Sequence, residues 1–188
     1  MHRVLFGYTH FSMKVDRCQV TLNISQFDLW EIWSRIELKL WRKVTDMPNQ
    51  IYYFAYGSNM NPEQMENRCP RNHKLLRKGT LEGWEFFINS RGVANIIMSE
   101  NTNVYGLIFE ISDRCLNCLD MHEGYPRIYQ RDDLPIKFKR ESLNAWVYID
   151  KNFIQVGRPR TNYLEPIIDA AIKFNFPGAY ITHLQKFL

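Results

Sequence analysis

Two short stretches pair reactive groups with a backbone able to aim them. The first is Gly57-Ser58-Asn59, which ends the aromatic run Tyr53-Phe54-Ala55-Tyr56. Residues 51–56 are β-prone, and a helix start follows the Gly-Ser-Asn turn at once. Asn61 can cap it, Pro62 takes the first helical position, and Gln64 stands where a capping-box partner belongs. A strand, a tight loop and a helix in this order can point several backbone N–H groups at one spot, where the helix dipole favours an anion. Carboxylate and phosphate would both suit such a loop, and an ordinary strand-to-helix turn has the same residues. The phosphate-loop patterns G-x-x-x-x-G-K-[ST] and G-x-G-x-x-G are absent. The second stretch holds Glu123, between a helix-like segment and Gly124-Tyr125-Pro126. On a sharp turn its carboxylate can enter a cavity. If Tyr125, Tyr129 and the loop tyrosines enclose it, burial raises its pKa and suits it to proton transfer near neutrality. Without such walls it is a solvated surface acid.

Other chemistries find no support. Ser58 lacks the G-x-S-x-G setting of a nucleophile elbow, and the histidines at 2, 10, 73, 122 and 183 show no H-x-x-x-H spacing. Of the four cysteines, Cys18, Cys69, Cys115 and Cys118, only the last two form C-x-x-C, and no second cluster completes a zinc set with them or with His122. They read as two half-buried cysteines on one short helix. Nothing suggests a disulfide framework, which makes a reducing cytoplasm the expected compartment. Arg158 and Arg160 flank Pro159 in a loop and could meet an acidic substrate or stay solvated. No cofactor and no metal are implied. The net charge of +4 is spread along the chain, so a nucleic-acid partner is not expected. No run of about 18 apolar residues exists to span a membrane.

The elements that must position these groups fall into two parts. Residues 47–188 form a self-sufficient domain, and residues 1–46 an N-terminal extension that could also be a mis-assigned translation start. In the extension, Val4–Tyr8 and Gln19–Ile24 are weakly strand-like. Ser25 caps a predicted helix reaching about Lys43, its apolar face built on Leu29, Ile32, Trp33, Ile36 and Leu40. That Trp-rich face wants cover from its own domain, a second subunit or a membrane surface. Beyond Met47, strands are expected at Ile51–Tyr56, Leu75–Leu81, Trp84–Asn89, Val93–Met98, Val104–Ile111, Tyr129–Phe138 and Asn144–Ile149. Turns are expected at Glu82-Gly83, Ser90–Gly92, Glu100–Asn103 and Lys139–Ser142. Gly106 inside its strand marks a bulge or the close approach of another backbone. Helices are expected at Asn61 to about Cys69, from the Ser112 cap to about His122 with Gly124 as its left-handed stop, from Thr161 or Asn162 to about Phe174, and at Ala179–Phe187. Strands come in consecutive runs, so an α+β fold with a mixed or antiparallel sheet, able to curl into a small barrel, is favoured over a doubly wound one. At 188 residues, 45% hydrophobic and 14% aromatic, the chain can build a real core.

With the elements in order, a resemblance is visible. Tyr53-Phe54-Ala55-Tyr56-Gly57-Ser58-Asn59-Met60 looks like the signature of the γ-glutamylcyclotransferase-like superfamily, which includes AIG2-like proteins. Val104-Tyr105-Gly106-Leu107 resembles its central strand, and Leu119-Asp120-Met121-His122-Glu123-Gly124-Tyr125 its catalytic-Glu segment, with Tyr129 just after. Arg158-Pro159-Arg160-Thr161-Asn162-Tyr163 resembles the loop that delivers a late tyrosine. Phe176 to Leu184 resembles the closing Pro-x-x-Tyr-x-x-x-Leu helix. The likeness covers about residues 50–188 and leaves residues 1–46 without a counterpart.

That resemblance implies a small barrel-like sheet with flanking helices and a cavity beside the Gly-Ser-Asn loop. It implies an enzyme that releases 5-oxoproline and a free amine from a γ-glutamyl small molecule. Glu123 would be the general acid/base, and Tyr53, Tyr56, Gly57, Ser58, Asn59, Tyr129 and Tyr163 would bind substrate. Because fold and function separate easily, a binding or regulatory module that keeps the cavity without turnover is the alternative, and docking through the Trp-rich helix a third reading. The leaving group and the oligomeric state stay open.

Overall fold

The computed structural model describes residues 9–15, 18–24 and 50–188. Its contacts divide the chain into two compact units, Met1–Asn49 and Gln50–Leu188. In the first unit, β1 (Thr9–Val15) and β2 (Cys18–Ile24) pair antiparallel, with Thr9 opposite Ile24 and Val15 opposite Cys18. The strand expected at Gln19–Ile24 is present. The strand expected at Val4–Tyr8 and the Trp-rich helix lie outside the described residues.

The second unit is a closed five-stranded barrel in the order β3-β5-β4-β6-β7. The strands are β3 (Ile51–Ala55), β4 (His73–Ile88), β5 (Ala94–Ile111), β6 (Gln130–Phe138) and β7 (Glu141–Ile149). Neighbours are antiparallel except at the closure, where β3 lies parallel to β7 with Tyr53 opposite Trp146. Four helices flank the barrel: α1 (Pro62–Arg68), α2 (Asp113–Glu123), α3 (Glu165–Lys173) and α4 (Gly178–Gln185). The fold is therefore α+β with a barrel-like sheet. Residues 107–109 of β5 are buried in succession on both faces of the strand, a pattern that suits a strand closed in on both sides.

Two expected turns are not turns. Glu82-Gly83 and Glu100–Asn103 lie inside continuous strands, β4 of 16 residues and β5 of 18. They face each other across an irregularity: Glu82 pairs with Asn103 and Trp84 with Met98, with Gly83 and Asn101 at positive φ. Polar residues and a glycine mark a bulge as readily as a turn. The turn expected at Ser90–Gly92 is real, since Asn89 N–H bonds to Val93 O and Gly92 N–H to Asn89 O. A helix expected from Thr161 or Asn162 starts at Glu165 instead, because Asn162 turns the chain at φ 56°. No side chain caps that helix, and Pro166 fits its first turn.

Gly106 turns out to mark a close approach. A Cβ there would lie 2.4 Å from the carbonyl oxygen of Ala55 and 2.6 Å from the Phe54 ring. The β3 strand can thus sit tight on β5 just before the chain reaches the Gly-Ser-Asn loop. Directly opposite in register is Gly79, where a Cβ would meet the side chains of Ile136 and Ile108 at 2.6 and 2.8 Å.

The cysteine reading needs correction. Cys115 is fully buried and is disulfide-bonded to Cys69, not half-buried beside Cys118, which is free. Their separation of 46 positions hid the pair: it follows from α1 packing on α2, not from local spacing.

Candidate active site

The loop comes first, because its shape is local. Ser58–Met60 forms a single 3₁₀ turn closed by Met60 N–H to Gly57 O and Asn61 N–H to Ser58 O. The opening N–H groups of such a turn, here those of Ser58 and Asn59, have no partner within it. Asn61 caps α1 by accepting from Gln64 N–H at 3.1 Å. Gln64 does not complete a capping box. Its amide donates to Ser58 Oγ at 2.7 Å and to Asn59 Oδ1 at 3.4 Å, bracing the loop from behind. Helix α3 packs against the same turn.

Glu123 is the last residue of α2. Ser112 starts that helix by accepting from Cys115 N–H, and Gly124 stops it at φ 68°, ψ 32°. The stop throws the Glu123 side chain off the helix end toward the loop. Its Oε1 accepts from Arg68 Nη1 at 2.8 Å and from Asn59 Nδ2 at 3.2 Å. Asn59 Nδ2 also donates to Tyr53 Oη at 2.8 Å.

One cavity of about 40 Å³ is lined by Tyr53, Tyr56, Gly57, Ser58, Asn59, Ala94, Glu123, Tyr129, Tyr148 and Tyr163. All eight residues singled out in the sequence are among them. Ala94 and Tyr148 were not foreseen, and neither were Arg68 and Gln64 behind the wall. Ala94 gives its carbonyl to Tyr129 Oη–H at 2.8 Å and its N–H to Tyr163 Oη at 3.1 Å, tying two tyrosines to one strand end. Tyr56 Oη donates to Tyr148 O at 2.6 Å, and Tyr148 Oη donates to Asp120 Oδ1 at 2.6 Å. Arg158 and Arg160 are exposed and do not line the cavity, although Arg160 Nε donates to Arg91 O.

Burial dominates the electrostatics. It pushes the phenols of Tyr53, Tyr56, Tyr129 and Tyr163 above their ordinary value, so they stay protonated donors at neutral pH. Burial also raises Glu123, against the opposing pull of Arg68 and the hydrogen bond from Asn59. Among the described residues that line the cavity, Glu123 is the one carboxylate.

A buried polar cluster adjoins Tyr129. The Asp150 carboxylate is completely shielded and pairs with Arg91 Nη2 at 2.7 Å. It also accepts from Asn89 Nδ2, Asn152 N–H and Phe153 N–H. The Arg91 guanidinium lies 5.4 Å from the Tyr129 ring centroid and 5.0 Å from that of Phe153. Arg91→Ala removes the only cation on a buried carboxylate. It is expected to cost about 3 kcal/mol, the low end for breaking a buried ion pair because the Arg91 side chain is partly exposed, read as a lower urea midpoint at unchanged m-value.

The sequence profile of the family described as "Gamma-glutamyl cyclotransferase, AIG2-like" matches residues 53–165, which spans the loop, Glu123 and Tyr163. The chain belongs to this family. Membership makes it an enzyme of the cyclotransferase type. A Methanocaldococcus jannaschii protein, named provisionally as a γ-glutamylcyclotransferase, is 26% identical over 100 residues, which are 52% of this chain and 82% of that relative. Two solved structures share the cyclotransferase fold. One is named γ-glutamyl cyclotransferase, with TM-score 0.68 and 22% identity over 74% of this chain and 89% of its own. The other is an uncharacterised human protein, with TM-score 0.67 and 23% identity over 74% and 88%. Among the described residues of this cyclotransferase, no helix is long and apolar enough to cross a membrane.

Proposed function

We propose that this cyclotransferase converts a γ-glutamyl amine or γ-glutamyl amino acid to 5-oxoproline and the free amine, with Glu123 as general acid/base. One observation carries the reading. The Glu123 carboxylate shares a cavity with the Gly-Ser-Asn loop, held on Oε1 by two donors, while Oε2 takes no hydrogen bond from the described residues.

The chemistry needs little else. The substrate carries both nucleophile and electrophile, so ring closure supplies proximity without a protein nucleophile. The α-ammonium gives a proton to Glu123 and the amine adds to the γ-carbonyl carbon. The C–N bond to the leaving amine then breaks as Glu123 returns the proton to that nitrogen, and the second proton lost by the ring nitrogen leaves with the amine, which departs as its ammonium. The backbone N–H groups of Gly57, Ser58 and Asn59 suit the α-carboxylate or the oxyanion formed at the γ-carbon. Among the described residues that line the cavity, no cation is present to take this anion in their place. Tyr53 and Tyr163, whose hydroxyls accept from Asn59 and Ala94, keep a proton to donate to substrate, while Tyr56 and Tyr129 give theirs to the Tyr148 and Ala94 carbonyls and serve as walls.

The test is product analysis across γ-glutamyl amino acids, γ-glutamyl-ε-lysine and larger γ-glutamyl compounds, with 5-oxoproline as the common product. At least one is expected to turn over, with kcat/KM rising as pH passes through the raised pKa of Glu123. The sign follows from the role: the base must be ionised, and burial moves its ionisation above the usual carboxylate range. Saturable binding of these compounds with no 5-oxoproline after hours would favour a binding module instead.

A further inference from the structure

Three carboxylates of the barrel unit pair with arginines at 2.7 to 2.8 Å, and they are not alike. Asp120 is engaged on both oxygens, Oδ1 by Tyr148 and Oδ2 by Arg131. Asp150 is engaged on both as well, Oδ1 by two backbone N–H groups and Oδ2 by Asn89 and Arg91. At Glu123 both donors, Arg68 and Asn59, converge on Oε1. Two of these carboxylates are saturated, as structural ion pairs are. The third is held by one oxygen and leaves the other for chemistry.

Arg68 is itself held firmly. It occupies the last turn of α1, and the next residue, Cys69, caps that helix by giving its N–H to Met65 O. Cys69 is bonded to Cys115 in the first turn of α2. Ser112 N–H, at the start of the same helix, donates to Asn72 O just after α1. The end of α1 is thus fastened to the helix that carries Glu123, and the Arg68 side chain is only 22% exposed.

We propose that Arg68 is a positioning residue of the active site, which holds Glu123 by Oε1 so that Oε2 meets the substrate and whose charge offsets the cost of burying the carboxylate. This rests on the reading of Glu123 as the proton carrier. The groups facing Glu123 make Arg68 the one that matters. Tyr53 of β3, Tyr56 and Tyr163 of the adjoining loops, and Tyr129 at the head of β6 are neutral phenols. Asn59 is a neutral donor, and His122 stands next to Glu123 on α2. Arg68 is the permanent positive charge in contact, and it acts against the desolvation that would otherwise keep the acid protonated.

The direct test titrates the δ-carboxyl of Glu123 by ¹³C NMR in full-length protein, with Glu123→Gln to assign the resonance. Arg68→Gln is expected to raise the midpoint by about one pH unit or more, the usual effect of losing an adjacent opposite charge. Arg68→Lys, which keeps the charge, is expected to raise it less. Where Gln at 68 does not fold, Arg68→Met keeps the aliphatic stem and takes its place. In turnover, the acid limb of kcat/KM is expected to move upward by the same interval, so that the loss, on the order of tenfold for one unit at pH values below both midpoints, shrinks and disappears at higher pH. An unchanged midpoint overturns the proposal. So does a loss equal at every pH, or a Lys variant that shifts as far as Gln. Should the wild-type protein release no 5-oxoproline from any γ-glutamyl compound, the catalytic reading fails, and the carboxyl titration still decides whether Arg68 governs Glu123.

Discussion

Replacing Glu123 by Gln is expected to leave a folded protein whose kcat for 5-oxoproline release has dropped by roughly 10²–10⁴, the range of a general acid/base. Gln keeps the shape of Glu and can turn its amide oxygen to Arg68 Nη1 and Asn59 Nδ2, so the cavity wall stays as it is. What goes is the proton acceptor, and no other lining residue can replace it, since the phenols are held protonated by burial. KM is expected to change far less than kcat, because the substrate's anionic end is assigned to the loop. A second signature lies in stability. A raised carboxyl pKa means that the folded chain holds this proton more tightly than the unfolded chain. Stability contributed by Glu123 therefore falls as pH rises from the usual carboxylate range through its raised value, and Glu123→Gln is expected to flatten that part of a Tm-against-pH curve. Turnover of the Gln variant within a few-fold of wild type would remove Glu123 from the mechanism.

The largest expected loss of stability comes from Gly106. A Cβ at this position meets the Ala55 carbonyl oxygen at 2.4 Å, and that atom belongs to the backbone of β3. It cannot rotate away, so β3 must separate from β5 along the stretch where Ala55 pairs with Leu107. Gly106→Val is expected to cost about 3 kcal/mol or more, the upper end for overpacking a tight core, against a total of about 5–15 kcal/mol for a typical domain. Gly79→Ala supplies the comparison. Its Cβ meets only branched side-chain ends, Ile136 Cγ2 and Ile108 Cδ1, which can shift rotamer. The expected order in denaturant midpoint is wild type, then Gly79→Ala, then Gly106→Val. The reverse order of the two variants would contradict the close approach of β3. Because Ala55 leads straight into the loop, any Gly106 variant that folds is also expected to bind substrate poorly.

Much of the site was legible in the sequence, because its signals are local. A strand ending at Gly57, a cap at Asn61, and an acid just before a left-handed Gly124 each follow from a few consecutive residues. That these segments meet rests on a family resemblance, not on periodicity. What escaped depends on pairings far apart in the chain. Arg68 and Glu123 are 55 positions apart, Cys69 and Cys115 are 46, and Tyr129 reaches back 35 to the carbonyl of Ala94. No spacing rule reaches that far. Local rules also misled where polarity and strand coexist. Glu82-Gly83 and Glu100–Asn103 have turn composition, yet they lie inside long strands whose side chains near Met98 are open to solvent. Strand pairing there outweighs turn propensity. Asn162 is, with Thr161, a candidate cap for the same reason that it forms a turn: asparagine tolerates a left-handed backbone and competes with helix.

The parallel closure of β3 on β7 also governs how the protein reaches its working form. Tyr53 meets Trp146 there, and nearby Tyr56 bonds across 92 positions to Tyr148. Such contacts come late, because the entropy of closing a long loop is spent before they form. Tyr53, Tyr56 and Tyr148 stand on the two sides of this seam, so the cavity is completed only when the barrel closes. An intermediate that already has the β4–β5 pair but not the seam therefore has no site. A ligand for the cavity is expected to slow unfolding without hastening folding, the behaviour of an interaction that is missing from the transition state.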